Sequence, residues 1–322
     1  MKKVAVQIVT FNSEPDILDC LKLLKMQSYP ICRILVIDNQ SLDHTVHCTK
    51  NSQFYKDITL VENKVNNGFA GGHNQAFKLS ESDYVLVLNP DVQLHPDYVY
   101  HLVQKLEQDE KIGATTGKLF RDRGNQILDS TGLIIKKNRR TFDRGAGEMD
   151  DGQYDLETDI FGVSGAAAMF RREMITDVSM HGEFFDETFF AYKEDVDVAW
   201  RAQLFGWKSA FVPEAIAYHK RGWQGEKKRT QISLNIRKHS YINRYYTILK
   251  NDALSYFLLH LPIILFYEVL SLVYAILKER EILSEWKALK GNFYDMMKKR
   301  EFVKNKRKVP YSNIYSFFKG IW

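Results

Sequence analysis

The sequence predicts an α/β protein in which a mixed, mainly parallel sheet is flanked by helices and followed by a helical C-terminal extension. Short apolar runs such as 85–88 are typical of strands buried on both faces. These runs alternate with segments whose apolar residues recur at helical spacing, as in βαβ units. Beyond residue 220 the strand pattern gives way to basic residues and long apolar helical segments. We therefore predict an α/β domain over 1–220 and a basic, amphipathic helical region over 221–322.

The first predicted strand, Val4–Val9, ends in Thr10-Phe11-Asn12, and leucines at helical spacing follow it. The amino-terminal stretch is too short and too polar for a secretory signal. No glycine-rich loop joins this strand to its helix, which argues against a dinucleotide-binding fingerprint. The three cysteines have no metal-ligand spacing and form an odd set, which favours a reducing compartment.

Two buried strands end in a carboxylate. Asp38 follows the run 34–37, and Asn89-Pro90-Asp91 follows the run 85–88. Pro90 cannot donate to a ladder, so Asp91 emerges at the carboxyl end of its strand, where open α/β sheets bind ligands. Asp91 suits a hard divalent cation that holds a phosphate, and Asp38 suits the N3–H of uracil or thymine. The alternative is that each carboxylate only caps the next turn.

A glycine-rich turn at 66–76 enters a helix directly before the Asn-Pro-Asp strand. Its glycines permit close backbone approach, and a helix N-terminus favours phosphate, although such turns are often only turns. Further along, a helix is predicted over 96–107 and a strand over 112–119. The acidic, glycine-rich stretch 143–159 is predicted to be a long loop, either functional or merely solvated.

A small-residue strand is predicted over 161–170, and an acidic turn follows with Glu194, Asp195 and Asp197 at the start of a helix. The helix dipole favours ionised carboxylates there, and simple N-capping accounts for at least one of them. Two short strands are predicted at 209–213 and 215–219. His219 ends the second and is a candidate metal ligand, the alternative being an ordinary surface histidine.

Charge divides the chain. Residues 1–219 carry 24 basic and 32 acidic side chains, whereas residues 220–322 carry 21 and 8. A basic tail indicates an anionic partner, either nucleic acid or an anionic membrane leaflet. The apolar stretch 254–277 favours lipid and is long enough to span a bilayer. Because Pro262 interrupts it and Glu268 lies inside it, we expect two helical pieces in the interface plane, the alternative being a soluble cap on the body.

Several of these motifs together resemble the inverting family-two glycosyltransferases of the GT-A fold, and within them the bacterial rhamnosyltransferase-like branch. The matching residues, in the order of the family, are Thr10-Phe11-Asn12, Asp38-Asn39-x-Ser41-x-Asp43, Asn67-Gly68-Phe69-Ala70-Gly71-Gly72-x-Asn74, Asn89-Pro90-Asp91, Glu194-Asp195-x-Asp197-x-x-x-Arg201 and His219. They cover roughly residues 4–220. Asn89 stands where the family has the first Asp of its Asp-x-Asp motif.

The resemblance implies a role for each matching residue. Asp195 resembles the catalytic base with Glu194 as its positioning neighbour, and Asp91 and His219 resemble ligands of Mg²⁺ or Mn²⁺. Arg201 would orient the acidic turn or reach the phosphates. The residues implied in nucleotide-sugar binding are Thr10, Asn12, Asp38, Asn67, Gly68, Asn74, Asn89 and Arg201.

The resemblance also implies a reaction. It is the inverting transfer of a sugar, L-rhamnose from dTDP-rhamnose in this branch, to a hydroxyl of a polyprenyl-diphosphate-linked saccharide in cell-surface polysaccharide synthesis. The donor would be dTDP- or UDP-linked. The enzyme would lie in the cytoplasm, peripheral to the inner face of the membrane, with no nucleic-acid partner. The alternatives are a nucleotidyltransferase and a non-catalytic membrane- or nucleic-acid-binding protein.

Overall fold

The computed structural model describes residues 1–220 and 232–321, and within them the chain forms twelve strands and eleven α-helices. The basic loop predicted at 221–229, and with it the predicted start of the C-terminal region, lies outside the described residues. The strands are β1 (Val4–Thr10), β2 (Ile31–Asp38), β3 (Ile58–Glu62), β4 (Tyr84–Leu88), β5 (Val92–Leu94), β6 (Ile112–Phe120), β7 (Leu128–Ser130), β8 (Leu133–Ile135), β9 (Thr141–Asp143), β10 (Asp159–Ile160), β11 (Ala167–Arg171) and β12 (Lys208–His219). The helices are α1 (Ile17–Lys25), α2 (Thr45–Asn51), α3 (Gly68–Phe77), α4 (Tyr98–Gln108), α5 (Arg172–Val178), α6 (Glu194–Leu204), α7 (Leu234–Asn251), α8 (Leu254–Leu259), α9 (Leu261–Lys278), α10 (Trp286–Lys306) and α11 (Tyr311–Tyr315).

The main sheet has the strand order β10-β12-β6-β11-β4-β1-β2-β3. Neighbouring strands are parallel within β4-β1-β2-β3 and in the pair β6-β12, and β11 runs antiparallel between β4 and β6. Every residue of β4 is buried, as its unbroken apolar run requires in a central strand. The predicted mixed α/β sheet flanked by helices is therefore confirmed, and so is the helical character of the C-terminal region.

Two predicted strands differ from those observed. The runs 209–213 and 215–219 belong to one strand, β12, because a register shift between Val212 and Ile216 accommodates Pro213 within it. The strand predicted over 161–170 is shorter and shifted, since only Ala167–Arg171 pairs with its neighbours. The residues before β11 instead form a turn that approaches the acidic segment.

The C-terminal helices share the core of the sheet domain. Val303, Ile314 and Phe318 are buried in the same apolar cluster as Phe161 and Trp200. The apolar stretch 254–277 forms two helical pieces, α8 and α9, separated at His260. Among the described residues α9 is the one helix long and apolar enough to cross a membrane, and 11% of its 18-residue window is buried.

A buried ion network joins the acidic segment to the C-terminal helices. Lys250 Nζ of α7 lies 2.6 Å from Asp186 Oδ2 and 2.8 Å from Asp197 Oδ2, and these three side chains have no solvent exposure. Lys299 Nζ of α10 lies 2.8 Å from Asp186 Oδ1. Two carboxylates thus share two ammonium groups, of which Lys299 is 9% exposed, and Asp197 also lies 2.9 Å from the Arg201 guanidinium. Removing one partner of a buried ion network is strongly destabilising.

We predict that Lys250→Ala lowers the free energy of unfolding by about 3–5 kcal/mol, because Asp186 and Asp197 lose the buried ammonium group that they share and keep only Lys299 and Arg201, respectively. Urea denaturation followed by circular dichroism measures it. Lys238→Ala on the same helix is the control, since its pair with Glu285 is partly exposed and is expected to contribute less than about 1 kcal/mol. Equal effects of the two substitutions would contradict the prediction.

Candidate active site

The carboxyl ends of β1 and β2 form the first part of the site. Thr10 and Asp38 are register partners, and the Thr10 hydroxyl donates to Asp38 Oδ1 at 2.9 Å. Ser41 donates to the same carboxylate from its backbone N–H (2.9 Å) and its hydroxyl (2.5 Å). Asp38 is buried, and these three bonds leave it about one of four acceptor positions for a ligand.

Asn12 continues this edge of the sheet in a left-handed backbone conformation, with φ of +53°. Its backbone N–H donates to the Ser41 hydroxyl at 2.9 Å, and its side-chain oxygen accepts from the backbone N–H of Leu42 at 2.8 Å. The loops after β1 and β2 are thereby fixed to one another. The structure brings Thr10, Asn12 and Asp38 together, as the sequence predicted.

The glycine-rich turn lies against the end of β2 and against the segment that precedes the acidic turn. The Asn39 side chain donates to the Gly68 carbonyl at 2.8 Å, and the backbone N–H of Ala70 donates to the Phe190 carbonyl at 3.0 Å. Gly68 has φ of +71°, and a Cβ there would lie 2.4 Å from the Phe190 oxygen. Only glycine fits this approach, while the neighbouring Asn67 is exposed to solvent.

Asn74 is occupied by the protein itself. Its amide nitrogen donates to the Phe185 carbonyl at 2.7 Å and to Glu187 Oε1 at 3.0 Å. Its amide oxygen accepts from the backbone N–H groups of Phe184 and Phe185, both at 3.1 Å. Asn74 is buried and holds α3 to the segment 184–187, so it positions the site without reaching a ligand.

The acidic turn opens α6, and its two leading carboxyl groups differ. Asp195 is partly exposed and accepts from the backbone N–H groups of Gly165 (3.2 Å) and Val196 (2.7 Å). Burial raises the pKa of Asp195 above its usual range. Glu194 is buried, and its Oε2 has no hydrogen-bond partner in the described residues. Burial, and then the nearby Asp195 charge, raise the pKa of Glu194 to about 8, which favours its neutral form.

The two residues Gly165 and Ala166 connect the acidic turn to the Asn-Pro-Asp motif. Gly165 N–H donates to Asp195, and the Ala166 carbonyl accepts from the backbone N–H of Asn89 at 2.8 Å. The motif at the end of β4 and the candidate base are therefore held by consecutive residues. This connection fixes the spacing between the carboxylates without a direct contact.

Asp91, His219 and Asp129 form a line. His219 Nε2 lies 3.4 Å from Asp91 Oδ1, and His219 Nδ1 lies 2.8 Å from Asp129 Oδ2. Burial alone would lower the pKa of His219, but hydrogen bonds and charge from Asp129 and Asp91 raise it to about 9. A carboxylate that binds the far nitrogen of a histidine is the usual support of a metal-ligating imidazole.

The donor chemistry of this line fits a hard divalent cation. Within residues 1–220 and 232–321 no group of three or more His, Cys, Asp or Glu side chains is arranged to hold a metal. A pair of ligands, one carboxylate and one imidazole, is what a cation needs when substrate phosphates complete its coordination. Asp91 and His219 could supply that pair, and the partly exposed Asp91 side chain leaves the open face.

Comparisons with known proteins show the family and the fold of the chain. A family model described as Glycosyl transferase family 2 matches residues 5–178. The chain belongs to this family. Among curated relatives, a poly-beta-1,6-N-acetyl-D-glucosamine synthase of Staphylococcus epidermidis is 22% identical over 215 residues, which cover 67% of this chain and 49% of the synthase. The chain thus spans about half the length of the curated relatives it matches.

Solved structures show the same fold. GalNAc-T7 with UDP, GalNAc and Mn²⁺ matches with a TM-score of 0.58 at 13% identity, over 78% of this chain and 48% of that one. Mannosyltransferase PcManGT from Pyrobaculum calidifontis in complex with GDP-Man and Mn²⁺ matches with a TM-score of 0.56 at 17% identity, over 95% and 86%. The family-two and GT-A predictions are confirmed.

In this member of the family Arg201 lies behind the acidic turn. Its guanidinium is fully buried, lies 2.9 Å from Asp197 Oδ2, and donates to the backbone carbonyls of Val178 and Phe184. With its donors used in this way, Arg201 orients the acidic turn and has no path to a bound phosphate. The alternative expectation, that it binds the nucleotide sugar, does not fit this position.

Sequence reasoning missed two residues that support the site. Asp129 lies in the short strand β7, where a single carboxylate gives no motif signal. Asn243 of α7 donates to the backbone carbonyls of Phe189 (2.8 Å), Ala191 (2.9 Å) and Tyr192 (2.7 Å). An asparagine within a helix of polar composition is likewise unremarkable in sequence, and only the packing reveals its contact with the acidic segment.

We predict that Gly68→Ala lowers the free energy of unfolding by at least about 1–2 kcal/mol and also lowers donor turnover, because the new Cβ displaces Phe190. Gly291→Ala is the matched control. Its Cβ meets nothing within 4 Å in α10, so that substitution is expected to stabilise by up to about 1 kcal/mol. Urea denaturation measures both, and a neutral Gly68→Ala would show that this approach is not tight.

Proposed function

We propose that this glycosyl transferase family 2 chain is an inverting, metal-dependent glycosyltransferase, and that it moves a sugar from a nucleoside diphosphate to an acceptor hydroxyl. The observation that carries the proposal is the fixed spacing between the candidate base Asp195 and the candidate metal ligands Asp91 and His219. Asp195 is joined through Gly165-Ala166 to the Asn89-Pro90-Asp91 motif, where His219 and Asp129 extend from Asp91. Family membership favours this reading over a nucleotidyltransferase or a non-catalytic binding protein.

The protein supplies a proton acceptor at one end of this arrangement. In the proposed reaction the acceptor oxygen forms a bond to the anomeric carbon while the bond from that carbon to the diphosphate oxygen breaks. The hydroxyl proton passes to the Asp195 carboxylate, and the nucleoside diphosphate leaves with the bonding electrons. The raised pKa of Asp195 brings it closer to the operating pH, which suits a general base. The raised pKa of Glu194 favours its neutral form, which adds no competing negative charge beside Asp195.

Asp91 and His219 would hold the Mg²⁺ or Mn²⁺, which when bound offsets negative charge on the departing diphosphate. Asp129 keeps the His219 ring oriented with Nε2 toward Asp91. Neutral Asn89 adds a side-chain amide to this end of β4 in place of a second charge. Mn²⁺ accompanies the nucleotide or nucleotide sugar in the structures of GalNAc-T7 and PcManGT, which supports this assignment.

The donor is proposed to be dTDP-rhamnose, on the strength of the resemblance to the rhamnosyltransferase-like branch. Asp38 would accept the N3–H of the base through its remaining lone pair, with Thr10 and Asn12 beside it. Exposed Asn67 would contact the nucleotide sugar. The structural neighbours hold UDP or GDP-Man, so UDP- and GDP-linked sugars are to be tested beside dTDP-rhamnose.

The acceptor is proposed to be a saccharide on a polyprenyl diphosphate in the cytoplasmic leaflet, as part of polysaccharide synthesis. We call the following exposed side chains of α9 the apolar face: Leu265, Phe266, Val269, Leu270, Val273 and Leu277. The single acidic residue of the helix, Glu268, turns away from it and pairs with Arg244 at 2.5 Å. A one-sided apolar helix beside basic segments fits an interfacial position at an anionic membrane.

We predict that Asp195→Asn lowers kcat by about 10²–10⁴-fold while leaving donor affinity unchanged, because the base is lost and the nucleotide pocket is not. Release of dTDP, UDP or GDP from dTDP-rhamnose, UDP-GlcNAc or GDP-Man measures turnover, and calorimetry measures donor binding. Asp151→Asn, an exposed carboxylate in the loop before β10, is the control. Near-normal turnover of Asp195→Asn would place the base elsewhere.

We predict that Asp129→Asn weakens Mn²⁺ binding by about 10–100-fold, since the His219 ring loses the carboxylate that orients it. Free Mn²⁺ measured by electron paramagnetic resonance in the presence of nucleoside diphosphate gives the affinity. His95→Ala serves as the control, because its ring is half exposed and lies 3.8 Å from Asp97. Unchanged affinity in Asp129→Asn would remove Asp129 from the metal centre.

We predict that Val269→Glu abolishes flotation of the full chain with phosphatidylglycerol-containing vesicles, because it puts a charge in the middle of the apolar face. Leu156→Glu, at an exposed position in the loop before β10, should float like the unmodified chain. Flotation of Val269→Glu at the unmodified level would show that α9 does not meet the lipid.

A further inference from the structure

The turn between β8 and β9, residues 136–140, carries four basic side chains in five positions. One of them is already used, since Arg139 is buried and its Nε lies 2.7 Å from Asp252. Arg140 differs. Its guanidinium lies 4.4 Å over the Phe142 ring, and in the described parts of the chain it has no carboxylate within ion-pair distance. It is half-buried and keeps its hydrogen-bond donors for a ligand.

Two further cations converge on Arg140. The guanidinium of Arg244 lies 4.8 Å from the Tyr267 ring, and that of Arg140 lies 5.4 Å from the same ring. Arg244 pairs with Glu268, and its Nε has no hydrogen-bond partner within residues 1–220 and 232–321. Lys193 Nζ donates to the Thr141 hydroxyl at 2.6 Å, one residue beyond Arg140, and no carboxylate of the described residues forms an ion pair with it.

The cluster of Arg140, Lys193 and Arg244 has a definite position. Lys193 immediately precedes the acidic turn that carries the proposed base. Tyr267, which both arginines approach, belongs to the helix whose other side is the apolar face. Burial lowers the pKa of Lys193; of the nearby charges, Asp195 and Asp143 raise it, and Arg244 lowers it. A multivalent anion bound among the three cations would offset their mutual repulsion.

We propose that Arg140, Lys193 and Arg244 bind the diphosphate of a lipid-borne acceptor. Arginine forks match phosphate oxygens in pairs, and the lysine adds a point charge. The isoprenoid chain would then lie along the apolar face, and the saccharide would extend from the diphosphate past Lys193 toward Asp195. This assignment rests on the proposed function, because it places the acceptor of that reaction.

The test is flotation of the full chain with phosphatidylcholine vesicles that contain geranylgeranyl diphosphate, against vesicles of equal charge made with phosphatidylglycerol. EDTA is present throughout, so that diphosphate binding at Asp91 and His219 through a metal does not contribute. We expect the unmodified chain to prefer the diphosphate vesicles by at least about tenfold. Arg140→Ala should remove this preference, and Arg140→Lys should retain part of it.

Arg33→Ala is the matched control, because Arg33 is an exposed arginine near the start of β2, at the opposite edge of the sheet. It should keep the full preference. Equal binding of the two vesicle types, or equal preference in Arg140→Ala and Arg33→Ala, would overturn the assignment. So would complete displacement by equimolar free pyrophosphate, because the site would then take its diphosphate from solution. Thermal unfolding of Arg140→Lys confirms that the variant is folded.

Failure here is distinguishable from failure of the proposed function. Donor turnover is measured separately by release of nucleoside diphosphate. Normal turnover without a vesicle preference would leave the transferase intact and remove the cationic cluster from acceptor binding. A vesicle preference without turnover of any nucleotide sugar would leave the cluster as a diphosphate site and overturn the transferase.

Discussion

The rest of the molecule depends on one buried ion network. In it Lys250 contacts both Asp186 and Asp197, and Lys299 contacts Asp186. Asp197 lies two residues beyond the proposed base, so this charge network determines where α6 begins. Burial opposes ionisation of Asp186, but the two ammonium groups hold its pKa well below the usual range. Because the ammonium groups belong to α7 and α10, the C-terminal helices are part of the active-site framework as well as the proposed route to the membrane.

The segment held by this network needs outside support. Phe190, Tyr192 and Lys193 all have positive φ, a backbone conformation that costs non-glycine residues free energy. The Asn243 side chain donates to three backbone carbonyls of this segment. The Phe190 ring stacks on His239, with 5.0 Å between the ring centroids. Phe190 in turn fixes the glycine-rich turn through Gly68. The strained loop between Asp186 and Asp195 is therefore stabilised by α7. Through Phe190 it also fixes the position of the glycine-rich turn.

Sequence predicted the sheet and the acidic turn because both leave local patterns, namely apolar runs such as 85–88 and carboxylates at the start of α6. The small-residue stretch before β11 was wrongly extended into a strand, since residues 165–166 form a turn in which the Gly165 N–H donates to Asp195. Arg201 and Asn74 carry the family's motif spacing, and the fold uses them to position backbone. Asp129 and Lys250 could not be found in sequence, because their partners lie 90 and 64 residues away in the chain.

Asn89 occupies the first position of the Asp-x-Asp motif, and an uncharged side chain there is consistent with the surrounding charges. A second carboxylate at the end of β4 would add negative charge beside Asp91, which among the described residues already pairs with His219. Here the second negative charge belongs to Asp129 and acts through the His219 ring, one hydrogen bond further out. The backbone N–H of Asn89 donates to the Ala166 carbonyl. It thereby holds the segment whose Gly165 N–H donates to Asp195. The second carboxylate of the site thus comes from Asp129 in β7, while the backbone that spaces Asp91 and Asp195 comes from the end of β4.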